Sequence, residues 1–420
     1  MKKFLFFLRA YNDFDHLAPL IWKCVKEGDE PVILITTKLK IEDDYRFKLI
    51  TNERSVKIIY DVDEVFERHF NAKTFIQKLL RRFYIIRRNP KNIIGRLYRK
   101  LFFNLSKEMD FLRKEDFHAC IFEWSTPFAR GDKIEKYFVA SKALGVKTFA
   151  LPHGCNIFVN SDVTYGYRES LSKGRFVDQS ETSLFDYYIF QNPTRRDGWV
   201  QWGFDPAKTQ AWGSLRFSPD WASKNLKACP PFNTYNIPSK KLNIVFMQFQ
   251  KEYNIFNEEV FRFLKAVSNI DEISLVVKDA TREGKSFYDQ NKATRELGKG
   301  LISWVGNEVH SPALIDWSDL VIVVGGSIGI EAMLQNKRVL YPSFLSSNFT
   351  LYEKYESAHC TNSIQESLKL IDDLKTGRDV PFPAGVQKMF TEIIYAGKEK
   401  YDVLGKYHNE ISSNTLNYLD

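Results

Sequence analysis

A chain of 420 residues exceeds one ordinary core, so two domains are expected. With 44% hydrophobic, 27% charged and 15% aromatic residues it falls outside the disordered and low-complexity classes and can fill large cores. The net charge of +8 is uneven: twelve lysines or arginines and no acidic residue lie between Arg68 and Lys107, so the rest of the chain is net acidic.

The opening Met-Lys-Lys-Phe-Leu-Phe-Phe-Leu loses its apolar run at Arg9, short of a secretory signal. It reads instead as a first strand over residues 4–8. A helix through Leu17, Leu20, Ile21, Cys24 and Val25, stopping at Gly28, and a second strand over residues 32–36 complete a βαβ opening. A third strand is expected at residues 56–60. The basic segment 68–107 follows, with apolar residues such as Phe75, Ile76, Leu79, Leu80, Phe83 and Ile86 at helical spacing, interleaved with the pairs Arg81-Arg82 and Arg87-Arg88, and a break near Asn89-Pro90. Amphipathic helices of this kind suit the anionic inner face of the cytoplasmic membrane or an anionic lipid-linked acceptor. A solvated surface face is the alternative, and no nucleic-acid motif accompanies the charge.

Further strands are expected at residues 119–122, 147–151 and 187–191, with a helix over 134–144. Residues 223–241 carry three prolines and little periodicity, and the domain linker is placed there. This divides the chain into an N-terminal domain, 1–222, containing the basic insertion, and a C-terminal domain, 242–420, ending in helices. In the second domain strands are expected at 242–246, 273–278, 301–305, 320–324 and 339–341, and a helix over 258–267. The alternation implies an α/β chain of two doubly wound domains, with ligands at a cleft beside the carboxyl ends of the strands. No run reaches membrane-spanning length. The five cysteines are scattered and form no Cys-x-x-Cys pair, implying a reducing, cytoplasmic setting and no zinc site.

Residues 318–341 carry the strongest local signal: a β-branched run, Gly325-Gly326, a helix opening at Ser327, Glu331 one turn further, and another strand. The glycines allow close backbone approach to a ligand, and the first amides of the helix favour an anion. Glu331 has the chemistry to accept hydrogen bonds from two ribose hydroxyls, or merely complements the helix dipole. The Ser-x-x-x-Glu spacing does not match a capping box.

Taken together, Leu151-Pro152-His153-Gly154, Trp212-Gly213-Ser214-Leu215-Arg216, Val276-Val277-Lys278 and the stretches 319–331 and 337–341 resemble GT-B glycosyltransferases in order and spacing. They are similar to the bacterial surface-polysaccharide enzymes that include 3-deoxy-manno-octulosonic acid (Kdo) transferases of capsule and lipopolysaccharide assembly. The resemblance implies a GT-B fold and a nucleotide-sugar donor, CMP-activated in preference to UDP or GDP. It also implies a lipid-linked glycan acceptor and peripheral attachment to the inner membrane face. In that reading Gly325, Gly326 and Ser327 hold the donor phosphate, Glu331 the ribose and Lys278 an anionic donor group. Residues 304–306 flank the base with His310 beyond, and Gly213, Ser214 and Arg216 approach the donor.

For the acceptor hydroxyl, His153 is the leading catalytic candidate, because a strand-end histidine before glycine titrates near neutrality. Glu123 and Asp13 compete for the role. The pairs Asp13-Phe14-Asp15 and Asp61-Val62-Asp63 mimic a metal-binding Asp-x-Asp, but a helix terminus and basic side chains can stabilise a leaving phosphate, so no metal or cofactor is expected. Gly325-Gly326-Ser327-Ile328-Gly329 nearly echoes a serine-hydrolase elbow, which the neighbouring Glu331 disfavours. The alternatives are a CDP-glycerol-type polyol-phosphate transferase, a nucleotide-sugar epimerase, and a catalytically inactive membrane-bound assembly partner.

Overall fold

The computed structural model describes residues 1–62, 104–123, 133–152, 154–155, 157–159, 184–201, 203–234, 237, 240–248, 253–278, 302–306 and 308–413. The chain divides into two compact units. Met1–Gly154, Asp178–Ser218 and Tyr395–Asp420 form the first; Cys155–Val177 and Pro219–Ile394 form the second.

The first unit contains strands β1 (Lys3–Leu8), β2 (Glu30–Ile35), β3 (Lys57–Tyr60), β4 (Ala119–Glu123), β5 (Lys147–Leu151), β6 (Tyr187–Phe190) and β7 (Thr209–Ala211). Among the described residues up to Ser218 its helices are α1 (Tyr11–Lys26), α2 (Tyr45–Thr51), α3 (Ser106–Glu115), α4 (Ile134–Leu144) and α5 (Pro193–Gln201). All seven strands pair in parallel, in the order β3-β2-β1-β4-β5-β6-β7. A parallel sheet needs helices on both faces, which is why β1 is a continuous apolar run, buried from Phe4 to Leu8, and does not alternate. Phe7 of β1 stands opposite Phe122 of β4, their rings stacked with centroids 4.3 Å apart.

The second unit repeats the design with β8 (Leu242–Met247), β9 (Ile273–Lys278), β10 (Ile302–Val305), β11 (Leu320–Val323), β12 (Arg338–Pro342) and β13 (His359–Thr361). Its helices are α6 (Pro219–Ala228), α7 (Asn257–Ser268), α8 (Ser311–Trp317), α9 (Ile328–Leu334), α10 (Leu351–Lys354), α11 (Ile364–Lys375) and α12 (Val386–Ile394). The order β10-β9-β8-β11-β12-β13 is again wholly parallel. In each sheet the strand order reverses once, between β1 and β4 in the first and between β8 and β11 in the second. The crevice at the carboxyl end of such a reversal is where open α/β sheets take their ligands.

Three boundaries differ from those the sequence suggests, and one is that Cys155–Val177, expected within the N-terminal domain, belongs to the second unit. The units divide at Ser218 and Pro219, because Trp221 is buried and anchors α6 against α8 and α9; a helix occupies the first part of the expected linker. The terminal segment belongs to the first unit and not to the C-terminal domain. There α13 (Val403–Ser412) packs on α1, and its Val403, Leu404, Tyr407 and Ile411 are all buried. The Tyr401 and Tyr407 hydroxyls donate to the carbonyls of Trp212 and Gly213, each at 2.8 Å. Among the described residues no helix is long and apolar enough to cross a membrane.

Candidate functional site

At the reversal point of the first sheet, the chain leaves β1 at Arg9 and enters α1 immediately. Asp13, buried in the first turn, accepts from the amides of Arg9 at 2.7 Å and Ala10 at 3.1 Å, satisfying two donors at the helix entrance. The Arg9 guanidinium donates to Glu123, the last residue of β4, at 3.1 Å, and its Nε lies 3.5 Å from Asp13. Asp13 and Glu123, separate candidates in the sequence, therefore share one arginine that the sequence reading did not single out.

Beside them a second polar cluster is built on Arg46, itself buried. Its guanidinium binds Asp44 through two nitrogens, at 3.0 and 2.9 Å, pairs with Asp15, and lies over the rings of Tyr11 and Phe14 at 4.8 and 5.4 Å. Asp15 also meets Arg216 at 3.0 Å. Burial alone would raise the Asp15 carboxyl, but Arg216 and Arg46 outweigh it and hold its pKa down at about 2. Arg216, expected at the donor, is thus engaged by a first-unit carboxylate. In Asp13-Phe14-Asp15 both carboxylates face arginines, and Asp61 pairs with Lys133 and Lys107 and accepts from Tyr137. These pairings engage Asp13, Asp15 and Asp61, whereas Asp63 lies outside the described residues; among the described residues no group of three or more metal-ligating side chains gathers.

His153 lies outside the described residues, as do Arg81, Arg82, Arg87 and Arg88. The next residue, Gly154, adopts a left-handed backbone, φ +62°, and a Cβ there would come within 3.3 Å of the His16 ring. Glycine is favoured on both counts. His16, buried on α1, had no sequence signal beyond its position on a helix after a strand. Gly213 is also left-handed, and Ser214 is fully buried, its Oγ 3.4 Å from the Phe217 amide. With Tyr407 on the Gly213 carbonyl, this turn is held from within the first unit.

In the second unit, the glycine turn follows β11 at its carboxyl end, as expected. Ser327 takes the N-cap position of α9 without a side-chain cap bond, and Glu331 sits in the first turn, largely buried. The Gly326 carbonyl accepts from the Tyr352 hydroxyl at 2.7 Å. A Cβ at Gly329 would stand 2.5 Å from that hydroxyl, so the third glycine makes room for tyrosine. Lys278 ends β9, nearly fully buried, and donates to the Gly306 carbonyl at 2.8 Å; the Gly306 amide donates to Glu308 at 2.8 Å. The Glu308 amide and the Gly306 amide, then the Lys278 charge, hold the Glu308 carboxyl below its usual range. His310 is the N-cap of α8, ahead of Ser311-Pro312. The second unit thereby brings Lys278 to the loop after β10, and sets Gly325, Gly326, Ser327 and Glu331 in one turn after β11.

No family model matches the chain, and no curated protein sequence does. Solved structures match over nearly its full length. The fold is that of the GT-B enzymes. UDP-GlcNAc 2-epimerase from Methanocaldococcus jannaschii is 12% identical, covering 91% of this chain and 96% of its own, with a TM-score of 0.55. Anabaena HepE, solved with UDP and glucose, is 12% identical over 98% of this chain and 100% of its own, TM-score 0.55. A glycosyltransferase from Rickettsia africae is 13% identical over 99% of both chains, TM-score 0.55.

Proposed function

We propose that this chain is a glycosyltransferase that takes a sugar from a pyrimidine-nucleotide donor, bound by the second unit, to a lipid-linked surface glycan. The observation that carries the reading is the glycine turn after β11, beside the reversal of the second sheet, with Glu331 one turn beyond it. A pyrimidine is common to two sources of support: the sequence resemblance names CMP sugars, and HepE, a structural neighbour, was solved with UDP. Calorimetry of the full chain against UDP, CMP, GDP and ADP tests it. Binding of UDP or CMP with neither purine nucleotide is expected; a preference for GDP or ADP, or no binding at all, defeats it.

Catalysis is assigned to the first unit, with His153 or Glu123 handling the acceptor hydroxyl. The basic segment, through Arg81, Arg82, Arg87 and Arg88, meets the anionic membrane face. Reversal of these four arginines to glutamate abolishes binding to anionic liposomes, and wild-type protein that ignores such liposomes at low salt refutes the surface role.

A second reading is supported by the epimerase among the structural neighbours: a 2-epimerase acting on the nucleotide-sugar itself. Product analysis separates the two. An epimerase inverts one carbon with the nucleotide still attached, whereas a transferase releases the nucleotide only when acceptor is present.

A further inference from the structure

The Gly325-Gly326 turn is held by Tyr352, and Tyr352 belongs to a segment with other attachments. The residues just before it pair with residues 157–159. The Leu351 amide donates to the Ile157 carbonyl at 2.8 Å, the Val159 amide donates to Phe349 at 2.9 Å, and Phe158 and Thr350 form an antiparallel bridge. The Phe158 ring stacks on Tyr253, centroids 5.8 Å apart. Glu353 accepts from the Thr350 amide at 2.8 Å and from its hydroxyl at 3.1 Å, fixing the start of α10. Tyr352 itself is fully buried, and that burial, followed by the nearby Cys155, keeps its hydroxyl protonated well past the ordinary tyrosine range. A donor to the Gly326 carbonyl therefore persists at every working pH.

We propose that Tyr352 is a positioning residue that couples the donor-binding glycine turn to residues 157–159, the segment that directly follows His153 and Gly154. The proposal rests on the nucleotide-sugar reading. Movement of the Gly326 peptide is passed through one hydroxyl and the two backbone hydrogen bonds of the Phe158–Thr350 bridge to the chain beside the proposed catalytic histidine. Donor occupancy thereby orders that segment. The tight fit of Gly329 against the tyrosine ring makes the contact stiff, since a packed interior transmits small displacements.

The test is hydrogen–deuterium exchange on the full chain, wild type and Tyr352→Phe, with and without UDP. Without UDP, Tyr352→Phe speeds exchange at least fivefold in peptides covering 326–329 and in those covering 157–159, with Tm lowered by only a few degrees and the cooperative transition retained. UDP affinity falls by up to about tenfold, because UDP must then order a turn that the hydroxyl no longer holds. UDP slows exchange in both segments of the wild type, and in the variant no longer slows 157–159. Gly329→Ala, which pushes the tyrosine ring from the other side, loosens the same two segments. Unchanged exchange at 157–159 in both ligand-free variants overturns the coupling, whatever UDP does. Coupled loosening in a protein that answers to no nucleotide supports the tie and defeats the nucleotide-sugar reading instead.

Discussion

The Arg9 guanidinium donates to the Glu123 carboxylate across 3.1 Å, joining the residue after β1 to the last residue of β4 where the first sheet reverses its strand order. Both side chains are largely buried, at 10% and 3% exposure, so the pair is little screened by solvent. Removing one partner of a buried pair costs far more than the pair contributes by itself. Arg9→Met should lower the unfolding free energy by about 3 kcal/mol in urea titrations. Glu123→Gln keeps the shape and should cut single-turnover transfer at least about a hundredfold with nucleotide affinity unchanged. Wild-type turnover in Glu123→Gln would leave this carboxylate a purely structural partner.

The Asp15 carboxyl sits at about 2 between Arg216 and Arg46, against an unfolded value near 4. A depressed carboxylate stabilises the fold fully above its unfolded value and loses that contribution as pH falls toward its folded one. Asp15→Asn should therefore be less stable than wild type by roughly 2 kcal/mol at pH 6, with the difference shrinking between about pH 4 and pH 2. A difference that does not change with pH would mean that Asp15 acts through shape and not through charge.

Gly154 and Gly28 are both left-handed, at φ +62° and +82°, but only Gly154 faces a side chain, His16; a Cβ at Gly28 meets open space. Gly28→Ala should cost about 1 kcal/mol for backbone conformation alone. Gly154→Ala should cost about 1 kcal/mol more, and His16→Ala should recover that excess, measured as a double-mutant cycle. Equal losses at the two glycines would show that His16 yields without cost.

Glu331 is largely buried in the first turn of α9, and if the proposed nucleotide reading holds, Glu331→Ala removes the acceptor for the ribose hydroxyls. Each charge-assisted bond is worth about 1.5 to 3 kcal/mol, so nucleotide affinity should fall at least tenfold with the fold intact. Calorimetry showing unchanged affinity in a folded variant would reject the ribose assignment.

The strands were legible because burial on both faces of a parallel sheet demands an apolar run, and such runs are local: residues 4–8, 119–122 and 320–324 were expected where β1, β4 and β11 stand. Glycine punctuation located the turn after β11 in the same way. The short edge strands β7 and β13, of three residues each, are too brief for a pattern of their own. Arg9 meets Glu123 across 114 positions of sequence, Tyr352 meets Gly326 across 26, and Tyr407 meets Gly213 across 194. Those partners depend on strand order and on the return of the terminal helix, which no local period encodes.

The sequence by itself therefore determined the α/β rhythm and the glycine turn with Glu331, because hydrophobic burial and backbone freedom act within a few residues, while the GT-B fold was an expectation drawn from the resemblance of several short motifs in order. Only the tertiary structure decided that Asp13 and Glu123 share Arg9, that Asp15 occupies Arg216, that the terminal segment belongs to the first unit, and that Tyr352 grips the glycine turn. Each of these turns on hydrogen-bond or ion-pair geometry, whose partners must lie within about 3 Å, and chains distant in sequence reach that separation only after the sheets have formed.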